Sequence, residues 1–154
     1  MEIDISQMTI ESYDDVFALW QRCEGVGLSD ADSRECIQVY LDRNPGMSFL
    51  ASSGGKIAGA LLAGHDGRRG YIHHLAVDPN CRRKGIGRRL VNSCSAVLAE
   101  SGIQKCHIFI FNRNTDGIAF WKSIGWTPRS DIGVISKILK IGTGCDYTDW
   151  FAKF

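Results

Sequence analysis

The sequence predicts one α/β domain, a mixed sheet with helices on both faces, and three observations lead there. The chain has 154 residues, 44% apolar and 23% charged, the balance of a single globular domain. At that length it buries roughly 70% of its unfolded surface and needs no staple. The hydrophobic period switches between about 2 and about 3.6 along the chain. The elements then follow as β-α-α-β-β-β-α-β-α-β, with three prolines and no Pro/Ser/Gly-rich linker between them.

Residues 1–5 read as a strand, with Ile3 and Ile5 alternating with acids. Tyr13, Val16, Phe17 and Trp20 fall at i, i+3, i+4 and i+7, the stripe of an amphipathic helix that Gly25 and Gly27 close. A second helix covers 33–43 with Cys36, Ile37, Tyr40 and Leu41 inward, and Asn44-Pro45-Gly46 stops it. Strands 48–52 and 56–63 flank Gly54-Gly55, a hairpin signal. A long turn over 64–70 leads to a strand at 71–77. A helix over about 86–101 points Ile86, Leu90, Cys94, Val97 and Leu98 inward, and Gly102 closes it. A strand at 105–111, a short helix at 115–124 ended by Gly125, and an irregular β segment over 126–140 complete the order.

Lys plus Arg is 18 and Asp plus Glu is 17, a net charge of +1. A dedicated nucleic-acid binder carries a stronger basic excess, so a nucleic-acid partner is disfavoured. Cysteines at 23, 36, 81, 94, 106 and 145 form no CxxC pair, which leaves zinc-ribbon and thioredoxin-type sites unsupported. They read as reduced, small hydrophobes of a cytoplasmic protein, and no metal is expected. The acidic start, Met1-Glu2-Ile3-Asp4, is no signal peptide, and no apolar run reaches the ~18 residues of a membrane span.

The most informative stretch runs from Ile72 to Gly87. A strand ends, the chain turns at Pro79, and Gly85 and Gly87 open a helix. Helix N-termini present unpaired N–H groups and a partial positive charge, and glycine lets the backbone approach an anion. Arg82, Arg83, Lys84, Arg88 and Arg89 add five cations. The constellation suits a pyrophosphate. It is neither a Walker A loop, since no window matches GxxxxGK[ST], nor a Rossmann GxGxxG, since Leu90 stands at the last glycine.

What matches is R-x-x-G-x-G, as Arg82-Arg83-Lys84-Gly85-Ile86-Gly87. This resembles the acyl-CoA pyrophosphate loop of the GNAT acetyltransferases. Leu75-Ala76-Val77-Asp78-Pro79 resembles that family's LAVxP strand, and Asn114–Trp126 resembles its N…Y…GF segment. The resemblance covers residues 1–140 and implies a single GNAT-like domain over 1–154, with 141–154 as an aromatic tail. It implies a mostly antiparallel sheet with a splayed central strand, and acetyl-CoA as co-substrate. The loop residues Arg82, Arg83, Lys84, Gly85, Ile86, Gly87 and Arg88 are then expected to hold the pyrophosphate. Leu75, Ala76 and Val77 are expected to pair with the pantetheine arm, with a Leu75 amide polarising the thioester carbonyl. Asn114 either contacts the cofactor or starts a helix.

Acetyl transfer to an amine needs a base. Strict alternation puts Tyr71, His73, Leu75 and Val77 on one face of the strand and Ile72, His74, Ala76 and Asp78 on the other. Some members of the family use two histidines at alternate positions of this strand, and Tyr71 and His73 stand at those positions. His73 is therefore expected as base. Trp121 occupies the place of a tyrosine that protonates the leaving thiolate in many members. An indole N–H is no usable acid. The resulting expectation is an N-acetyltransferase acting on an amine-bearing small molecule or peptide, with a catalytically weak CoA-binding module as the alternative. Trp20, Glu24, Asp30, Asp32 and 126–135 are the acceptor-side candidates. Tyr147, Trp150, Phe151 and Phe154 share one helical face that would cover the cleft, the domain or a homodimer seam.

Overall fold

The computed structural model describes residues 2–140. Strands β1 (Ile3–Gln7), β2 (Phe49–Ser53), β3 (Lys56–His65), β4 (Gly70–Val77) and β5 (Cys106–Ile108) form one sheet in the order β1-β2-β3-β4-β5. The first four pair antiparallel, and β5 joins β4 parallel. Helices α1 (Tyr13–Gln21) and α2 (Arg34–Arg43) pack on one face, and α3 (Ile86–Glu100) and α4 (Thr115–Ser123) on the other.

Two apolar clusters, one per face, explain why the sequence of β3 is apolar almost throughout. Ala60 and Leu62 pack with Val16, Leu19, Trp20 and Ile37. Leu61 and Ala63 pack with Ile86, Leu90, Cys94 and Leu98. The helix ends are set by local chemistry. The Ser33 hydroxyl accepts from the Cys36 N–H at 3.2 Å and so caps α2. Gly102 adopts φ +84° after α3, and the next amide, Ile103 N–H, returns to the Leu98 carbonyl at 3.1 Å.

Several expectations need correction. Cys36 is exposed, and Ile37 carries the buried face of α2. β3 continues through Gly64 and His65, because the buried Asn44 Oδ1 accepts the His65 N–H at 3.0 Å and holds the strand in place. The strand expected over 105–111 is paired only at Cys106–Ile108. Residues 126–140 form neither strand nor helix. Ile132, Val134, Ile135, Ile138 and Leu139 are all exposed there, so no buried face fixes a register. The aromatic residues Tyr147, Trp150, Phe151 and Phe154 lie outside the described residues.

The correction that matters for the site is in β4. Its pairing with β3 jumps from His73–Leu62 to Ala76–Ala60, so His74 and Leu75 together oppose Leu61. This is a β-bulge, and it places His74 at φ +53°. A non-glycine residue held there costs about 1–2 kcal/mol. Beyond the bulge the strand is out of phase with the expected alternation. Leu75 and Val77 join Ile72 on the α3 face, while Ala76 turns to the α1–α2 face.

Candidate active site

β4 and β5 pair at Gly70–Cys106, Tyr71–His107 and Ile72–Ile108, and there the ladder ends. β4 runs on through residues 73–77 with β3 alone beside it. The two parallel strands fork. A cleft of about 740 Å³ opens at the fork, between the end of β4, the start of α3, α4 and the α1–α2 loop. Leu75, Ala76, Val77, Arg82, Arg83, Gly85, Ile86, Gly87, Arg88, Asn114 and Trp121 line it. The structure thus brings together every residue expected to hold the cofactor except Lys84, which is exposed and outside the lining.

The loop between β4 and α3 is built by two devices. Asp78 caps the 3-10 turn Pro79–Cys81 by accepting the Asn80 N–H at 2.9 Å, and it pairs with Arg22 at 2.9 Å. These two donors, the Asn80 amide first, hold its carboxyl below the usual carboxylate range. Arg83 (φ +65°) and Gly85 (φ +74°) then adopt left-handed conformations around Lys84. Gly85 is the N-cap of α3 and offers no side chain to its first amides, and no acid stands in the first turn. The amides of Ile86, Gly87 and Arg88 therefore keep their hydrogen-bonding capacity and the helix end its partial positive charge. Arg82 reaches back, its Nε donating to the Val77 carbonyl at 3.3 Å.

α4 forms the opposite wall. Asn114 starts the helix, its Oδ1 accepting the Gly117 N–H at 2.9 Å, and the residue also lines the cleft. Trp121 is mostly buried in the α3-side core, its ring 4.6 Å from that of Trp126 and 5.4 Å from that of Phe120.

On the α1–α2 side of the fork the rings of Tyr71, His73 and Phe109 run near-parallel, with centroids 6.2–6.5 Å apart. Tyr40 of α2 meets His73 edge-on at 6.1 Å. Burial, and then the neighbouring His74, lower the pKa of His73 from its ordinary 6.5. The bulge turns His74 onto this side as well, where its Nε2 lies 2.7 Å from Asp32 Oδ1 and its ring meets Trp20 edge-on at 5.0 Å. Asp32 is only 5% exposed, and Trp20 is wholly buried. Asp30 is exposed, and Glu24 lines the cleft at the fork. The Asp32 half of this pair had a local signal, since Ser29-x-x-Asp32 is a capping box. Its partner 42 residues away had none.

Cys23, Cys94 and Cys106 are pushed up by burial, Cys94 to about 12 and Cys106 to about 11, so they stay protonated thiols at neutral pH. Among the described residues no group of three or more His, Cys, Asp or Glu is placed to hold a metal ion, and no helix is long and apolar enough to cross a membrane.

The family model described as Acetyltransferase (GNAT) family matches residues 13–126. The chain belongs to the GNAT family. GNAT enzymes draw their acetyl group from acetyl-CoA, and the fork, the uncapped helix and the arginines suit that molecule. Three solved GNAT structures share the fold. The PaiA N-acetyltransferase of Thermoplasma acidophilum, in complex with coenzyme A, is 17% identical with a TM-score of 0.73, over 86% of this chain and 94% of that one. The aminoglycoside acetyltransferase meta-AAC0020 from an uncultured soil metagenomic sample, in complex with sisomicin, is 21% identical with a TM-score of 0.70, over 90% and 97%. AAC(6')-Iy, in complex with the bisubstrate analogue CoA-S-monomethyl-acetylneamine, is 17% identical with a TM-score of 0.72, over 90% and 99%.

Proposed function

We propose that this GNAT domain transfers the acetyl group of acetyl-CoA to an amine of a small molecule or peptide, by direct attack in a ternary complex. The observation that carries the reading is the cleft at the fork, where β4 main chain left without a strand on its β5 side, an uncapped helix N-terminus and Arg82, Arg83 and Arg88 converge. The amides of Ile86, Gly87 and Arg88 and the nearby guanidinium groups take the pyrophosphate. Residues 75–77 pair with the pantetheine arm as an added strand would. The Leu75 N–H polarises the thioester carbonyl, a role worth about 3 kcal/mol. The amine enters from the α1–α2 side, where Tyr71, His73 and His74 stand, and an amine-bearing acceptor agrees with the sisomicin and acetylneamine groups held by two of the similar structures. Trp121 supplies no proton, so water protonates the departing thiolate.

The test is CoA-thiol release from acetyl-CoA against polyamines, amino acids, aminoglycosides and short peptides. Release above the amine-free rate is the expected result, and splitting the pool names the acceptor class. An acetyl-CoA-dependent rise in Tm without release from any amine would favour the second reading, a CoA-binding module with weak chemistry, which the buried indole at Trp121 motivates.

A further inference from the structure

We propose that His74, oriented by Asp32, takes the proton of the acceptor amine, an assignment that rests on the transferase reading above. His74 is the residue immediately before Leu75, which lines the donor cleft. The bulge turns its ring away from that cleft's α3 face and toward α1, so the histidine stands beside the fork on the opposite side of the sheet from α3. A histidine at φ +53° in the middle of a central strand is held there by its contacts.

Those contacts form a built site. Asp32 Oδ2 accepts the Ser29 N–H at 2.9 Å, and the Tyr13 hydroxyl donates to the Asp32 carbonyl at 2.7 Å. The Ser29 N–H thereby fixes the carboxylate from its own turn, and the Tyr13 hydroxyl ties the Asp32 main chain to α1. Its Oδ1 is left for His74 Nε2 at 2.7 Å. With the proton on Nε2 donated to Asp32, the lone pair sits on Nδ1, which has no partner among the described residues. This is the arrangement in which a carboxylate selects one tautomer and stabilises the imidazolium once it forms. His73 has no carboxylate in hydrogen-bond contact, and burial first, then His74, oppose its charging more than the nearby Asp32 favours it. An independent observation marks the same place. Trp20, wholly buried with its ring against His74, has an indole N–H without a partner among the described residues, a donor that a bound polar atom or water would satisfy.

The substrate ammonium gives one proton to His74 Nδ1, and the nitrogen lone pair attacks the thioester carbon. The C–N bond forms while the carbonyl π pair moves to oxygen. As the carbonyl re-forms, the C–S bond breaks and its electron pair leaves on the CoA thiolate. The second nitrogen proton passes to water or to the thiolate, and the imidazolium returns its proton to solvent. The groups facing His74 are Asp32 from the turn before α2, Trp20 from α1 and His73 on its own strand, with the Tyr13 hydroxyl behind Asp32.

The experiment compares His74→Ala, His74→Gln and Asp32→Asn with the wild type, at saturating acetyl-CoA and with the amine of the panel that the wild type acetylates fastest. His74→Ala is expected to lose about 10²–10³ in kcat at pH 7 with its KM for acetyl-CoA unchanged. The deficit shrinks as the pH approaches the amine's own pKa, because a free amine needs no base. Added imidazoles of similar size restore the rate in order of their basicity. Asp32→Asn loses about tenfold or more in kcat. His74→Gln keeps a donor for Asp32, so it folds and is as slow as His74→Ala. A deficit that is the same at every pH, or a His74→Gln kcat within threefold of the wild type, would overturn the assignment and make the pair a structural tie. Absence of release by the wild type itself from every amine would overturn the transferase reading and this one with it.

Discussion

Tyr40→Phe is predicted to stabilise the protein. The Tyr40 hydroxyl is buried without a hydrogen-bond partner among the described residues, and burial pushes its pKa upward. An unsatisfied buried hydroxyl costs about 1–3 kcal/mol, and deleting the oxygen removes that cost. The void left is the size of one oxygen, and at about 24 cal/mol per Å³ it gives back only about 0.3 kcal/mol. The edge-on contact of the ring with His73 at 6.1 Å is unaffected. The net gain is about 1 kcal/mol, a rise in Tm of about 2–4 °C for a chain of this length. Thermal melts and urea titrations read it directly, with an unchanged m-value showing that the two states compare like with like. A variant less stable than the wild type by about 0.5 kcal/mol or more would refute the reasoning, for it would mean that the hydroxyl is bonded, not orphaned.

Three further outcomes are expected. In Gly64→Ala the new Cβ would stand 2.5–2.7 Å from three side-chain atoms of Asn44, which must withdraw and release the His65 N–H. The strain and the lost bond together cost about 3 kcal/mol in urea unfolding, whereas Gly67→Ala, with nothing near its Cβ, costs about 1 kcal/mol. Stability is expected to fall above pH 9: Cys94, ordinarily at 9.0, is held near 12 by burial, so the unfolded chain ionises first and gains between those values. Cys94→Ala should flatten that limb in melts at pH 8–11. Arg83→Gln and Arg88→Gln should each weaken acetyl-CoA about fivefold to tenfold by calorimetry, because each removes one partly exposed charge from the phosphates. Both variants should show a shallower salt dependence than the wild type.

What the sequence disclosed was what local periodicity and caps control. Ile86, Leu90, Cys94 and Leu98 repeat at helical spacing and are buried together on α3. Gly54-Gly55 marked a real two-residue turn, and Gly85 and Gly87 marked the bend that opens α3 beside the cleft. The misses share another cause. A bulge adds a residue without changing composition, so nothing in Tyr71–Val77 announced that Leu75 would leave the face of His73. The Asp32–His74 contact depends on how α1, the turn before α2 and β4 stack, which no window of sequence contains. The extent of β5 is decided by where its neighbour departs, and that too is a property of the sheet.

The fork between β4 and β5 divides the molecule's chemistry by kind of group. On the donor side, recognition of the pantetheine arm and pyrophosphate would fall largely to peptide amides, which every residue but proline carries. Side chains there can drift while the capacity to seat the same donor persists, provided the bend at Arg83–Gly85 survives. On the acceptor side, selection would depend on individual rings and one carboxylate, so a single exchange would change what is admitted. A fold divided in this way could be retuned to new amines without relearning its acyl donor.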